Sequence, residues 1–271
     1  MCFNQLILVN EYFLGKAWLD LYYPRIQESL GYSKEKDDYS RDLLSTILST
    51  KAIKGPEILS EIFTNQTVFM LGAGPSLESD LLGLSSILKN GHTPVVAADG
   101  AADALYEHGI APSAIVSDLD SCSLQNLSRN SREGYLFAHA HGDNVDLVRK
   151  ILPDLGPRVF GTTQVNSVNR VLNFGGLTDG DRACYIISSY GPKVVIIAGM
   201  DFGAEEGEYS KSKYESKLSP LRPTKLAWGK RSLEFLIEQR NDIEFYNVTK
   251  FGHEIKGAKR LQYSEVTLTA H

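Results

Sequence analysis

Short apolar runs alternate with segments of helical periodicity through the central part of the chain. The runs are rich in β-branched residues, which is typical of buried parallel strands joined by helical crossovers. The predicted strands are 67–71, 93–97, 114–117, 135–139, 158–162, 193–198 and 243–248. Between them the pattern predicts helices, for example 80–89, 102–108, 145–152 and 225–240. This alternation predicts an α/β fold with a doubly wound, mostly parallel, Rossmann-like sheet.

The chain before the first strand has a helical pattern instead. Trp18, Tyr22, Ile26 and Leu30 recur at helical spacing, and apolar positions repeat the pattern within 43–48. We therefore expect an N-terminal helical region ahead of the sheet.

These patterns divide the chain into three regions. We expect an N-terminal helical region at 1–62, an α/β nucleotide-binding catalytic core at 63–204, and a C-terminal loop, helix and strand at 205–271 that complete the domain. The polar stretch 205–217 predicts a mobile loop, and helix 225–240 is assigned to packing rather than to catalysis.

Composition and charge narrow the class of protein. The chain has 271 residues and a formal charge of -5, with basic residues scattered along it, which argues against a nucleic-acid groove. Neither a bilayer-spanning apolar run nor a signal-peptide pattern is present, so no membrane partner is predicted. Cys2, Cys122 and Cys184 lack metal-ligand spacing and fit a reducing interior. We expect a cytoplasmic protein.

Polar clusters stand where the apolar runs end. Because the carboxyl ends of parallel strands meet at one edge of a sheet, these clusters predict a single magnesium and phosphate site. The first cluster is a glycine loop of Gly72, Gly74, Pro75 and Ser76. Its glycines let the backbone approach a ligand, and Ser76 is expected to cap the next helix while free amides face a phosphate. The alternative is a purely structural strand-to-helix turn.

Asp118 and Asp120 are the candidate metal ligands. Carboxylates at i and i+2 after a strand can reach one hard cation if the chain turns between them, and Mg²⁺ suits them better than zinc. The alternative is a turn whose Asp and Ser side chains bond nearby amides.

Two further clusters carry candidate ligand contacts. His139 and His141 could share a transition metal, but the run into Asp143 and Asn144 favours a turn and N-cap aimed at a ligand, with Asp143 and Asn144 contacting a nucleotide or supporting the site. Thr178, Asp179, Asp181 and Arg182 form the second cluster. Arg182 is either part of a surface ion-pair group or a clamp for a transferring phosphoryl group.

Six motifs, taken in their order along the chain, resemble the archaeal 6-hydroxymethyl-7,8-dihydropterin diphosphokinase family. They are GAGPSL (72–77), AADGA (97–101), SDLDS (117–121), HAHGDN (139–144), LTDGDRA (177–183) and AGMDFG (198–203). The resemblance runs from about residue 66 to 203, and the aromatic pattern near Trp18 and Tyr22 is similar as well. It implies a thiamin diphosphokinase-like core.

The resemblance also implies an activity. Members of that family transfer diphosphate from ATP to the hydroxymethyl group of a reduced pterin and release AMP, in folate or methanopterin synthesis. In the wider comparison, Asp99, Asp118 and Asp120 match the acidic residues that hold Mg²⁺. HAHGDN departs from the thiamin enzymes, so their contacts are not carried over to it. The likeness to thiamin diphosphokinase also makes a homodimer an expectation.

Combined with the residue chemistry, the resemblance predicts catalytic roles for Asp99, Asp118, Asp120 and Arg182. The two rival functions are a glycosyltransferase that uses a sugar nucleotide and a nucleotide-binding regulator without chemistry. A nicotinamide dehydrogenase is disfavoured because the third glycine of the dinucleotide fingerprint is absent.

Overall fold

Nine parallel strands form one sheet in the computed structural model, which describes residues 14–51, 56–203, 205–213 and 220–269. The strands are β1 (Thr67–Leu71), β2 (Val95–Ala98), β3 (Ala114–Ser117), β4 (Tyr135–Ala140), β5 (Val159–Thr163), β6 (Val171–Leu172), β7 (Val194–Ala198), β8 (Glu244–Asn247) and β9 (Lys259–Arg260). The predicted α/β fold with a doubly wound sheet is confirmed. All seven predicted strands are present with ends shifted by at most two residues, whereas the two-residue strands β6 and β9 were not predicted.

Helices connect the strands and cover the sheet. They are α1 (Tyr23–Leu30), α2 (Lys34–Ser49), α3 (Ser60–Phe63), α4 (Leu77–Leu88), α5 (Ala101–Glu107), α6 (Leu124–Glu133), α7 (Val145–Ile151), α8 (Asp179–Ser189), α9 (Arg222–Gln239) and α10 (Tyr263–Thr269). Among the helices of the described residues, none combines the length and apolar character needed to cross a bilayer.

The strand order is β6-β5-β4-β3-β2-β1-β7-β8-β9. β1 pairs with β2 on one side and with β7 on the other, and Leu71 lies in register with both Ala97 and Ala198. The sheet therefore reverses its direction of growth at β1 and β7. In open α/β sheets the crevice at such a point, beyond the carboxyl ends of the strands, is where ligands bind.

Alternate strand residues face two separate apolar layers. In β1, Phe69 and Leu71 pack with α2, α4, α5, α6 and α7, and Val68 and Met70 pack with α3, α8 and α9 on the opposite face. Each large side chain that becomes fully buried contributes about 1.5–3 kcal/mol. Burial on both faces explains why the strands read as continuous apolar runs.

The N-terminal helices are joined to the sheet rather than set apart from it. Leu44 and Leu48 of α2 lie in the same apolar layer as the core strands, and Trp18 packs with Val165 and Leu177. The predicted helical pattern is present in the described residues, and residues 1–13 and 52–55 lie outside them. The boundaries 1–62, 63–204 and 205–271 stay predictions.

Candidate active site

The loops after β1 and β7 touch through their backbones. The amide of Gly72 donates to Ala198 O at 2.9 Å, and that of Gly74 donates to Gly199 O at 2.8 Å. A Cβ on Gly72 would lie 2.7 Å from Gly199 O, so this approach requires glycine. Pro75 is exposed at the tip of the first loop.

Asp201 occupies the space beside the glycine loop. Its carboxylate accepts hydrogen bonds from the Ser76 amide at 3.1 Å and from the Ser76 hydroxyl at 2.5 Å. A Cβ on Gly74 would overlap the same carboxylate. The prediction that the Ser76 side chain caps the next helix is wrong, because its hydroxyl bonds Asp201 and accepts from the Phe251 amide instead. Phosphate binding by this loop stays a prediction.

Asp80 fixes the other side of these loops and was not singled out from the sequence. It is fully buried and accepts from the Gly199 amide at 2.7 Å, the Lys250 amide at 3.0 Å and the Tyr263 hydroxyl at 2.5 Å. Its partners come from distant segments, so no local pattern identifies it.

Asp99 follows β2 and is held rigidly at the sheet edge. It is buried, has a φ of 45° and accepts from the Ser117 hydroxyl at 2.5 Å, the Ser121 amide at 3.1 Å and the Cys122 amide at 3.2 Å. A non-glycine residue at positive φ costs about 1–3 kcal/mol and is common at functional sites. Leu119 between the two predicted metal ligands also has a positive φ, 75°, so the chain turns there as the metal hypothesis requires.

One carboxylate oxygen from each of Asp99, Asp118 and Asp179 lies within 4.8 Å of the others. Asp118 Oδ1 is buried and has no hydrogen-bond partner within the described part of the chain. Convergent hard oxygens with an orphaned acceptor fit Mg²⁺. The predicted ligand set of Asp99, Asp118 and Asp120 stays a prediction. Asp120 lies beside the group and accepts from the Ser121 hydroxyl at 2.6 Å.

The acidic residues perturb one another. Burial and then the charge of Asp118 raise the pKa of Asp99 and of Asp120, and the same two causes raise the pKa of Asp179 to about 8. Burial would also raise the pKa of Asp118, but His141, Lys225 and Arg182 hold it below its ordinary value. The carboxylates therefore disfavour one another's ionised form, and a bound cation would offset this repulsion.

Arg182 lies behind Asp179. Its guanidinium donates to Asp179 Oδ1 at 2.8 Å, to Leu177 O at 2.9 Å and to Gly176 O at 3.3 Å, and only 3% of the residue is exposed. In this conformation it orients Asp179, and the phosphoryl clamp stays a prediction.

The other members of the 178–182 motif differ from Arg182 in position. Asp181 is fully buried and accepts from the Leu177 amide and from the amide and hydroxyl of Thr178, so it caps α8. Thr178 and Asp179 line the cleft. Nucleotide contacts by Thr178, Asp179 and Asp181 stay predictions.

Asn144 ties together the loops after β3 and β4. Its side chain donates to Asp118 O at 2.8 Å and His139 O at 2.7 Å, and it accepts from the His141 amide at 3.0 Å. His141 Nε2 lies 3.5 Å from Asp118 Oδ2, and Asp143 is exposed. His139 is buried against Thr162, and burial lowers its pKa. Ligand contacts by His141, Asp143 and Asn144 stay predictions.

The C-terminal segment brings cations that the sequence did not identify. Helix α9 starts at Arg222, earlier than predicted, and its first turn points Arg222 and Lys225 into the site. This helix packs on the core through Leu233 and Leu236 and also lines the candidate site, and its assignment to packing rather than to catalysis stays a prediction. The described residues 205–213 cross the sheet edge, where Lys213 N bonds Asp120 O at 2.9 Å, so this part of the predicted mobile loop is packed on the site.

Two clefts meet at the acidic cluster. The smaller, of about 200 Å³, lies by the glycine loop, Thr178, Asp179 and Phe202. The larger, of about 1090 Å³, lies by the N-terminal helices and the loop after β4. Residues on the wall between them line both clefts: Asp118, Asp120, Ser210, Arg222 and Lys225. Two molecules that enter from opposite sides would meet at these side chains.

The chain is similar in fold to the MAf glycosyltransferase from Magnetospirillum magneticum AMB-1. The TM-score is 0.53 at 15% sequence identity, over 83% of this chain and 39% of that longer chain. At this identity the likeness concerns the fold alone.

Sequence relatives are more informative. Proteins named 6-hydroxymethyl-7,8-dihydropterin pyrophosphokinase match from Methanocaldococcus jannaschii, at 34% identity over 85% of this chain and 98% of the relative, and from Pyrococcus furiosus, at 38% over 74% and 87%. A third, from Methanothermobacter thermautotrophicus, is 33% identical over 84% and 97%. The family model described as 6-hydroxymethylpterin diphosphokinase MptE-like matches residues 44–207. The chain belongs to this MptE-like family.

Proposed function

We propose that this protein transfers a diphosphate from ATP to the hydroxymethyl group of 6-hydroxymethyl-7,8-dihydropterin and releases AMP. The observation that carries the proposal is the convergence of Asp99, Asp118 and Asp179 at the junction of two clefts. Membership in the MptE-like family supports the choice of acceptor.

The acidic residues suit a bound Mg²⁺. Asp99, Asp118 and Asp179 would hold it, with Asp120 beside them. When bound, Mg²⁺ offsets phosphate charge and fixes the phosphate oxygens. The buried, partnerless Asp118 Oδ1 is the feature of the described chain that fits such an ion.

The residues of the protein position the two substrates and accept the proton of the acceptor hydroxyl. The acceptor hydroxyl forms a bond to the β-phosphorus, the bond between that phosphorus and the oxygen bridging to the α-phosphorus breaks, and the electron pair stays on AMP. We assign Asp120 to accept the hydroxyl proton, because it lines both clefts and its pKa is raised by burial and by Asp118. The loop 72–76 contacts ATP phosphate from the smaller cleft.

Holding the reactants in line accounts for much of such catalysis. Asp99 is locked by three donors, and Asn144 pins the loop that carries Asp118. Arg182 orients Asp179 from behind. A cytoplasmic location and a homodimer accompany the proposal as predictions.

The test is to incubate the protein with Mg²⁺, ATP and 6-hydroxymethyl-7,8-dihydropterin and to measure AMP and pterin diphosphate by chromatography. We expect AMP and pterin diphosphate in equal amounts. A parallel reaction with thiamin as the acceptor tests the specificity of the protein for the pterin. Arg129→Ala, a change at an exposed ion pair, serves as a matched control and should keep full turnover. If folded protein binds ATP but forms neither product, the acceptor is wrong, and sugar-nucleotide turnover or regulation by ATP binding should be examined.

A further inference from the structure

Cations around the two clefts differ in whether a carboxylate already pairs with them. Four lysines and arginines of the described residues line the clefts: the exposed Lys36 and Lys211 line only the larger one, and Arg222 and Lys225 line both. Arg222 pairs with Glu206 at 3.2 Å, and close to the clefts Arg182 pairs with Asp179 at 2.8 Å and Lys213 with Asp103 at 2.9 Å. The Arg222 and Lys213 pairs join the segment 205–213 to α9 and α5, and the Arg182 pair lies within α8. Their side chains are engaged before any ligand binds.

Of the two cations that line both clefts, Arg222 is paired and Lys225 is not, within the described residues. Within the described residues its side chain makes neither an ion pair nor a hydrogen bond, although Lys225 lies in the first turn of α9 and lines both clefts. Burial lowers its pKa, but Tyr32, Asp118 and Asp179 raise it by more, so the side chain stays charged. An ammonium held near carboxylates and directly bonded to none is available to bind an anion.

We propose that Lys225 binds the diphosphate during its transfer, at the wall where the two clefts meet. The inference deepens the proposed function and rests on it. A lysine ammonium is a compact charge with three donors, which suits phosphate oxygens that change position during a reaction. The N-terminus of the 18-residue helix α9 adds positive potential at the same place.

In this role Lys225 neither gains nor loses a proton. It donates hydrogen bonds to phosphate oxygens while the phosphorus-oxygen bond to AMP breaks. The competing role is structural, in which Lys225 only offsets the charge of Asp118 and Asp179. A structural role predicts an effect on folding and on metal binding rather than on phosphate binding.

The experiment measures the binding of inorganic triphosphate with Mg²⁺ by calorimetry, using the full chain. Since a hydrogen bond to a charged group contributes about 1.5–3 kcal/mol, Lys225→Met should weaken binding about 10- to 100-fold. Lys225→Arg should recover part of the affinity. Lys230→Met changes a lysine on the same helix that pairs with Glu234, and it should bind within about twofold of the unchanged protein.

Two results would overturn the inference. One is unchanged triphosphate affinity in Lys225→Met, with thermal unfolding showing that the variant is folded. The other is an equal loss of Mg²⁺ affinity without triphosphate, which is the structural outcome. If the unchanged protein forms no pterin diphosphate yet its triphosphate binding depends on Lys225, the acceptor assignment fails and the phosphate-binding role of Lys225 stands.

Discussion

Two groups of buried or half-buried carboxylates lie at the same sheet edge and differ in what they face. Asp80 of α4 and Asp201 after β7 accept hydrogen bonds from backbone amides and hydroxyls, which fix the loops after β1 and β7. Asp99 and Asp118, at the ends of β2 and β3, converge with Asp179 at the start of α8. Burial alone therefore does not define a site, because the protein satisfies the first group, whereas Asp118 Oδ1 of the second has no hydrogen-bond partner within the described residues.

The largest effect should come from neutralising the convergent group. Asp118→Asn should lower turnover by about a thousandfold, since a bound metal supplies several kcal/mol and each 1.36 kcal/mol is tenfold in rate. The free energy of unfolding should change by no more than about 1 kcal/mol, because weaker contact with His141 is offset by reduced repulsion. Product formation and urea denaturation measure the two quantities. Retained turnover would remove Asp118 from the site.

Replacing Asp80, whose hydrogen-bond partners are all supplied by the protein, should lower stability rather than Mg²⁺ binding. Asp80→Ala leaves the Gly199 and Lys250 amides and the Tyr263 hydroxyl without their acceptor. Because each buried group without a partner costs about 1–3 kcal/mol, we expect a loss of about 3 kcal/mol or more in urea denaturation. If Asp80→Ala were as stable as the unchanged protein but unable to bind Mg²⁺, the contrast between the groups would be lost.

A smaller effect should result from crowding the glycine loop. Gly74→Ala places a methyl group against the Asp201 carboxylate, and forcing extra volume into a packed site costs about 1–3 kcal/mol. Gly203→Ala is the matched control, because its Cβ would come no closer than 3.9 Å to His253 Nε2. Thermal unfolding of both variants measures the difference, and equal melting temperatures would show that this loop has room.

The remaining expected effect concerns pH and is spread over several pH units. The folded-state pKa of Asp179 is raised to about 8, whereas an unfolded aspartate titrates near about 4. The folded protein therefore binds more protons in this interval, and the free energy of unfolding falls as the pH rises from about 4 to about 8. Each proton contributes at most about 1.4 kcal/mol per pH unit.

Urea denaturation in a chelating buffer at several pH values tests this slope. Asp179→Asn should flatten it, because the titrating group is removed. An identical slope in Asp179→Asn would assign the pH dependence to other groups.

Features that depend on local pattern could be predicted from the sequence. Buried parallel strands give apolar runs, so β1 and β3 were placed with their observed ends, and strand-end acids such as Asp118 were placed at the common edge. The outcome of competition for hydrogen bonds could not be predicted in this way. Serine is a residue type favoured at helix N-caps, but the Ser76 hydroxyl donates a hydrogen bond to Asp201, which is 125 residues away in the sequence.

Other features depend on how segments that are distant in the sequence come together, and they could not be predicted from local patterns. Lys225 stands at the start of the predicted helix 225–240, which the sequence assigns to packing, yet the first turn of α9 lines both clefts. Similarly, the sequence alone predicts the same role for Asp118 and Asp120. In the structure, the turn at Leu119 brings Asp118 together with Asp99 and Asp179.

The binding of Mn²⁺, a stand-in for Mg²⁺ with the same preference for carboxylate oxygens, tests the central claim most directly. The EPR signal of free Mn²⁺ would be monitored during titration of the unchanged protein, Asp118→Asn and Asp80→Ala. We predict that Asp118→Asn weakens binding at least about tenfold, or about 1.4 kcal/mol, while folded Asp80→Ala binds as the unchanged protein does. Equal binding by Asp118→Asn and the unchanged protein would contradict the account.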